Sequence, residues 1–382
     1  MDQQRKLADI NRFAPMLYYL ALGCVCIYMG CRIRAWMNML FSWESGYFIA
    51  ILMVGYVVLS VAFSKTYLVG PNKTLTYVSG TATFIMLYGF MAIAMADIVQ
   101  CLVRPFVTVQ QENAIFIVVG FLCIIFVVIS GFYGYWNASK VVTVEHHVTI
   151  PTLKKTCRVV LLSDLHIGYY VGYKHVAKIV EQVNALGADL VLISGDIINA
   201  GNTNECPELD RVAACLATMQ ARDGVYAVVG NHDPDVEDED FQSFLRASNI
   251  TLLEDEVADT RQCMLVGRTT RTKERATLAM LLQGVTKGKP CIVLDHDPMA
   301  LNEAIKEQVD LVLCGHTHKG QIFPLNLFVR CLYSKAQLWG VHSFDGTTSV
   351  VSAGAGYFSM PMRIGSHSEV VCLSLEGNAI MQ

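Results

Sequence analysis

Four long stretches without a single Asp, Glu, Lys or Arg occupy the first third of this chain, and nothing else in the sequence limits the fold as much. They are 14–31 (APMLYYLALGCVCIYMGC), 46–64 (GYFIAILMVGYVVLSVAFS), 75–96 (LTYVSGTATFIMLYGFMAIAMA) and 114–136 (AIFIVVGFLCIIFVVISGFYGYW). A helix of about 20 apolar residues crosses the hydrocarbon core of a bilayer, and each stretch is near that length. Tyr and Trp gather near several of their ends, as interfacial side chains do. A cleaved signal peptide fits poorly, because the first stretch lacks a small-residue cleavage site and three more follow. Four transmembrane helices over residues 1–140 and a second domain over 141–382 are expected.

Charge supports the division. Residues 1–136 hold eight Lys or Arg and five Asp or Glu, leaving 21 basic and 28 acidic residues for 137–382. The latter is an ordinary, mildly acidic globular composition. Basic residues favour the cytoplasmic side of a membrane. With the N-terminus in the cytoplasm, Arg5, Lys6, Arg12, Lys65, Lys73, Lys140, Lys154 and Lys155 lie inside, against Arg32, Arg34 and Arg104 outside. Four spans return the chain to the side on which it began, so a multi-pass plasma-membrane protein with a cytoplasmic second domain is expected. The 13 cysteines show no C-x-x-C spacing and read as free, small hydrophobes rather than as a zinc cage.

After residue 157, apolar runs recur at 158–163, 189–194, 224–230, 263–267, 291–295, 310–314, 348–354 and 369–375. Uninterrupted apolar runs suit strands covered on both faces. Between them, 174–187 places Val176, Ile179, Val180 and Val183 on one helical face, and 207–221, 298–308 and the tract opening at Glu274 also read as helices. Strands alternating with helices predict a layered α/β domain.

Polar residues follow these runs in a pattern. Ser163-Asp164-Leu165-His166 follows the first, Gly195-Asp196 the second, Gly230-Asn231-His232-Asp233 the third, Asp295-His296-Asp297 the fifth and Gly315-His316-Thr317-His318 the sixth. Ligands of open α/β sheets sit beyond the carboxyl ends of strands. Five of the chain's ten histidines fall at these positions, beside the carboxylates of Asp164 and Asp196 and the amide of Asn231. Such oxygen and nitrogen donors suit divalent ions such as Mn²⁺, Fe²⁺ or Zn²⁺, and eight candidates exceed one coordination shell. Two metals sharing a carboxylate fit better.

The series Asp164-x-His166, Gly195-Asp196, Gly230-Asn231-His232, His296 and Gly315-His316-x-His318 resembles the calcineurin-like metallophosphoesterase superfamily, over roughly residues 157–375. The resemblance implies a four-layer αββα sandwich with a dinuclear centre. It implies that Asp164, His166 and His318 hold one metal, that Asn231, His296 and His316 hold the other, and that Asp196 bridges them. Mn²⁺ is the foremost candidate, with Fe²⁺, Zn²⁺ and Mg²⁺ as the others. His232 is implied as a catalytic acid or phosphate contact. Many members read G-D-x-x-D-R at the second motif, where this chain has Gly195-Asp196-Ile197-Ile198-Asn199-Ala200, so one acidic partner and one arginine are missing.

Arg268, in GRTTRTKER, is a further candidate for substrate contact, since arginine forks match phosphate oxygens; a solvent-facing turn is the competing reading. His342 and Tyr357 are rim candidates, and His146, His147, His175 and His367 are expected on the surface. The tract 322–333 (IFPLNLFVRCLY) reads equally as a lipid-facing lip or as packed core. Its surroundings resemble a membrane-associated bacterial branch that includes UDP-2,3-diacylglucosamine pyrophosphatases. The expected function is therefore a membrane-anchored phosphodiesterase or pyrophosphatase, with a lipid-linked phosphoester substrate and the bilayer as partner. The alternatives are a phosphodiesterase or phosphatase for soluble nucleotides and a non-catalytic membrane scaffold. A nucleic-acid partner is not expected, because the second domain is net acidic and lacks a basic stripe. Transport is disfavoured by the scarcity of charge within the spans.

Overall fold

In a computed structural model, the described residues are 2–41, 55, 72–199, 201–270, 274–285 and 288–377. The chain divides into two compact units, Met1–Phe132 and Tyr133–Gln382, a division eight residues before the expected boundary at 140/141.

The first unit contains α1 (Asp2–Phe41), α2 (Lys73–Val103) and most of α3 (Val109–Ala138). Among the described residues, three helical segments are long and apolar enough to cross a membrane: Leu20–Phe41, Lys73–Phe106 and Val109–Ala138. The expected span at 46–64 lies outside the described residues, apart from position 55. Asn72 starts α2 by accepting the Leu75 N–H on its side chain at 3.0 Å. Arg32 of α1 pairs with Asp97 of α2, and Tyr28 donates to the same carboxylate at 2.7 Å.

The second unit is built on two six-stranded sheets. The first contains β1 (Val141–Thr149), β2 (Cys157–Leu162), β3 (Leu190–Ser194), β4 (Val225–Val228), β5 (Thr251–Leu252) and β12 (Ser368–Glu376), in the order β1-β12-β2-β3-β4-β5. The second contains β6 (Glu256–Asp259), β7 (Met264–Gly267), β8 (Cys291–Leu294), β9 (Leu311–Cys314), β10 (Gly340–Ser343) and β11 (Thr348–Val351), in the order β10-β11-β9-β8-β7-β6.

Side-chain alternation explains the layering. Val159, Leu161, Leu190 and Leu192 point between the sheets, where they meet Ile292, Leu294, Leu311 and Leu313. Their neighbours Val160, Leu162, Val191 and Ile193 point the other way, onto Val176, Ile179 and Val183 of α4 (Tyr173–Ala185) and Val212 and Leu216 of α5 (Leu209–Leu216). Val293 and Val312 pack outward onto Leu278, Leu301 and Ala304. Each strand is thus buried on both faces, which is why its sequence is a continuous apolar run. Each fully buried Leu, Ile or Val contributes about 1.5–3 kcal/mol over an exposed one. The result is the expected αββα sandwich.

Several elements differ from expectation. The helix read over 207–221 is restricted to α5, and the one read after Glu274 to Leu278–Leu282, which Thr277 caps by accepting the Met280 N–H. Strand β1 is not among the expected strands: four of its nine residues are exposed, so it lacks an apolar run. It pairs in parallel with β12 from Val141 opposite Ser368 to Thr149 opposite Glu376.

Candidate metal centre

Strands β2, β3 and β4 run parallel, as do β8 and β9, and the residues that follow them meet at one edge of the second unit. The chain turns there in a conformation most side chains avoid. Asp164 (φ 50°), His166 (φ 47°), Asp196 (φ 53°), His316 (φ 72°) and His318 (φ 48°) all lie in the left-handed region. Each such residue costs on the order of 1–3 kcal/mol and persists where its surroundings over-determine it. Backbone bonds between the loops supply that constraint: Asp164 N to Gly195 O at 3.0 Å, His166 N to Asp196 O at 2.9 Å, and Gly315 N to His296 O at 3.1 Å.

Two donor groups result. Asp164, His166 and His318 form one and Asp196, His296 and His316 the other, with the ligand-capable atoms of each group within 4.8 Å of one another. In the first, the His166 and His318 Nε2 atoms are 3.0 Å apart and Asp164 Oδ1 is 3.4 Å from His318 Nε2. In the second, His296 Nε2 is 3.1 Å from Asn231 Oδ1, 3.1 Å from His316 Nδ1 and 3.3 Å from Asp196 Oδ2. Asp196 Oδ2 also lies 3.6 Å from His166 Nε2, so one carboxylate oxygen borders both groups.

Electrostatics show what the donor set would accept. Burial holds His166 down to about pKa 3 and lowers His316 and His318 as well, so these rings present lone pairs. Burial also opposes charge on His296, yet Asp196 and then Asp164 push it up to about 10. His296 Nδ1 donates to the Ser194 carbonyl at 2.8 Å, which turns Nε2 toward Asn231 Oδ1 and Asp196 Oδ2. A positive charge is needed at that point, and a proton or a metal ion can supply it. Among the described residues, the ion-pair partners of Asp164 and Asp196 are all imidazoles. Two buried carboxylates, neutral imidazoles and an amide oxygen fit a pair of divalent ions.

Glycines make room for the carboxylates. A Cβ at Gly230 would lie 2.1 Å from Asp196 Oδ1, and one at Gly315 would lie 2.4 Å from Asp164 Oδ2. Asp164 also accepts the His316 N–H at 3.0 Å, and Asp196 Oδ1 accepts the His232 N–H at 2.9 Å.

The remaining sequence candidates are placed as follows. His232 is partly exposed at the rim, its ring 5.4 Å from that of His166 and 4.6 Å from that of Phe358. Arg268 stands outside the cluster: it is buried, its Nη1 pairs with Glu303 at 3.1 Å and its Nη2 donates to Ala276 O at 3.0 Å. It ties the tract around 276 to α8 (Leu301–Lys306) instead of facing solvent. His342 donates through Nε2 to Trp339 O at 3.2 Å, and Tyr357 is buried against Tyr170 O and the His175 ring. His147 and His367 are exposed and His146 is half-buried. His175, expected on the surface, is buried, with Nε2 donating to Ala355 O at 2.9 Å. Asn199, where many family members carry an acid, donates to Glu205 at 3.0 Å.

Two supporting residues escaped the sequence reading. Asp233 accepts the Ile198 N–H on one oxygen and the Gly230 N–H on the other, each at 2.8 Å, and so joins the loops after β3 and β4. Burial and the nearby Asp196 push its pKa up to about 7. Arg363 is wholly buried; it donates to the carbonyls of Ala353, Gly356 and His367 at 2.7, 2.6 and 2.8 Å, and its Nη2 lies 3.4 Å from His318 Nδ1. Its signal was available, since it is the one Asp, Glu, Lys or Arg between Asp345 and Glu369.

Comparison with known proteins agrees with this geometry. Residues 157–320 match the sequence profile described as calcineurin-like phosphoesterase. A Helicobacter pylori protein described as an uncharacterized metallophosphoesterase is 33% identical over 60% of this chain and 63% of its own length. A Danio rerio protein described as a transmembrane protein with metallophosphoesterase domain is 33% identical over 67% of this chain and 62% of its own length. An Aquifex aeolicus metallophosphoesterase is 28% identical over 56% of this chain and 83% of its own length. The chain therefore spans a little under two thirds of the first two relatives. By the matched sequence and by the sandwich and donor groups built from it, residues 157–320 of this chain form a calcineurin-like phosphoesterase domain.

Proposed function

We propose that this protein is a membrane-anchored, metal-dependent phosphoester hydrolase whose dinuclear centre cleaves a phosphodiester or pyrophosphate bond. The observation that carries this reading is the Asp196 carboxylate oxygen, which borders two groups of imidazole and carboxylate donors. Asp164, His166 and His318 would hold one ion, Asn231, His296 and His316 the other, with Asp196 shared and Mn²⁺ the foremost candidate. Two such ions, when bound, would supply a water acidic enough to attack near neutral pH and would neutralise phosphate charge.

The chain's own residues do the rest. The His296 Nδ1 bond to Ser194 O and the His316 N–H bond to Asp164 fix ring and carboxylate orientation before anything binds. His232, held between Phe358 and His166, faces the rim with a ring N–H that can meet a phosphate oxygen or protonate the leaving oxygen. The strained loops hold these groups without reorganisation.

Helices able to span a membrane, in a chain similar to one described as transmembrane, favour a substrate that itself resides in the bilayer. We infer a lipid-linked phosphodiester or pyrophosphate, of the UDP-diacylglucosamine type, met by a catalytic unit on the cytoplasmic side. The experiment is turnover of bis-p-nitrophenyl phosphate by the purified full chain with Mn²⁺, beside a panel of lipid-linked and soluble nucleotide diesters. Metal-dependent turnover is expected, with His232→Ala retaining metal but losing most of the rate. A chain that binds less than one metal and turns over none of these would be a scaffold, and unchanged rates in His232→Ala would remove that residue from the chemistry.

A further inference from the structure

Helix α9 (Leu325–Leu332) carries its apolar stripe outward. Leu325, Phe328 and Leu332 follow the i, i+3, i+7 spacing of a core-facing stripe. Yet they are 47%, 63% and 60% exposed, Leu327 is also exposed, and no residue of the helix is fully buried. Core packing, one of the two readings of this tract, is therefore excluded for these side chains.

Charge along the sequence on either side of the helix is one-sided. From Leu311 to Phe344 the sequence contains Lys319, Arg330 and Lys335 and no Asp or Glu, within a unit that is otherwise net acidic. Apolar side chains flanked by basic ones are the composition of a helix that lies in an anionic lipid–water interface.

Position points the same way. The second unit begins at Tyr133 and includes the last turns of the apolar helix α3, where Tyr133, Tyr135 and Trp136 are exposed like an interfacial aromatic belt. Those turns are fastened to the loop 362–367: Arg363 N donates to Gly134 O at 3.0 Å, and the Asn137 amide donates to Arg363 O and Ser366 O, each at 2.9 Å. The same loop holds the start of α9, with Phe323 N donating to Ile364 O at 2.8 Å and Ile364 N donating to Gln321 O at 3.1 Å. One short loop thus joins the aromatic belt to the exposed helix. Beyond α9, the Tyr333 ring is 6.3 Å from that of His316, so the surface reaches the rim of the metal centre.

We propose that α9 is a membrane-docking surface: its Leu325–Phe328–Leu332 stripe enters the lipid interface of an anionic leaflet, with the exposed Arg330 and Lys335 at the headgroups. This surface goes beyond the hydrolytic reading and does not depend on it.

The test places p-benzoylphenylalanine at Phe328 of the full chain in nanodiscs of phosphatidylcholine and phosphatidylglycerol, with Arg246, exposed on the helix Glu239–Ala247, as the control position. After irradiation, mass spectrometry should find lipid adducts at 328 and none at 246. The same probe at Leu332, one turn on, guards against a local disturbance at 328. Absence of lipid adducts at both 328 and 332, or adducts to protein in their place, would overturn the proposal. Hydrolysis of bis-p-nitrophenyl phosphate by the same samples reads the metal centre separately. Turnover without adducts removes the docking surface alone, and adducts without turnover remove the hydrolase reading alone.

Discussion

Replacing Gly230 by Ala adds one methyl group to the chain and should dismantle the metal centre. The new Cβ would sit 2.1 Å from Asp196 Oδ1, 2.8 Å from Asp196 Cγ and 2.5 Å from the Asp196 backbone nitrogen. Carbon atoms rest at about 3.5 Å or more from their neighbours, so the carboxylate must retreat by roughly 1 Å merely to reach a tight contact. The backbone nitrogen beside it blocks a simple side-chain rotation. Overpacking of this kind costs about 1–3 kcal/mol. The retreat also breaks the 2.9 Å bond from His232 N to Asp196 Oδ1, worth about 1 kcal/mol more. A loss of about 2–4 kcal/mol in all should lower the thermal midpoint by about 4–16 °C for a unit of this size. The larger effect is on metal, because functional sites tolerate displacements of only about 0.5 Å. We expect Mn²⁺ per chain, read by elemental analysis, to fall well below that of the parent. Gly172→Ala is the control, since its Cβ would find only Glu208 Oε2 at an ordinary 3.4 Å. A Gly230→Ala protein with parental metal content and midpoint would refute the assignment of Asp196 as the shared donor pressed against Gly230.

Two further perturbations test the frame around the centre. Arg363→Leu leaves the carbonyls of Ala353, Gly356 and His367 without their donor in a fully buried place, and should cost about 3 kcal/mol or more in denaturant unfolding; a change below about 1 kcal/mol would contradict it. Burial lowers the His175 pKa from its ordinary value, although its bond to Ala355 O works against the shift. A depressed folded-state pKa means that its contribution is complete above the unfolded value of about 6.5 and declines as pH falls toward the folded value. His175→Gln should remove that decline, so that thermal midpoints of parent and variant converge as pH falls from 7.5 to 5. Parallel profiles would show that His175 carries no such linkage.

The sandwich was legible because both faces of its strands are covered: the β2, β3, β8 and β9 runs could be read without knowing what covered them. The candidate site was legible for a different reason. Asp164, His166, Asp196, Asn231, His232, His296, His316 and His318 each follow an apolar run, and the structure brings their loops to one edge. What stayed hidden depends on partners distant in sequence. Arg268 looks like a phosphate-seeking arginine until Glu303 is beside it, and His175 looks like a surface residue until Ala355 O meets its ring. Strand β1 has a half-exposed pattern that becomes a strand only when β12, more than two hundred residues later, lies alongside. The exposure of α9 could not be read either, because an outward apolar stripe and an inward one have the same spacing.

The pairing of β1 with β12 has a consequence for biosynthesis. β12 lies between β1 and β2, so the first strand after the apolar helix α3 joins its sheet only through residues Ser368–Glu376. During translation, β1 therefore waits with one edge unsatisfied until Ser368–Glu376 has left the ribosome. A message truncated before codon 368 would leave that edge open to pairing with a neighbour and to quality-control proteases.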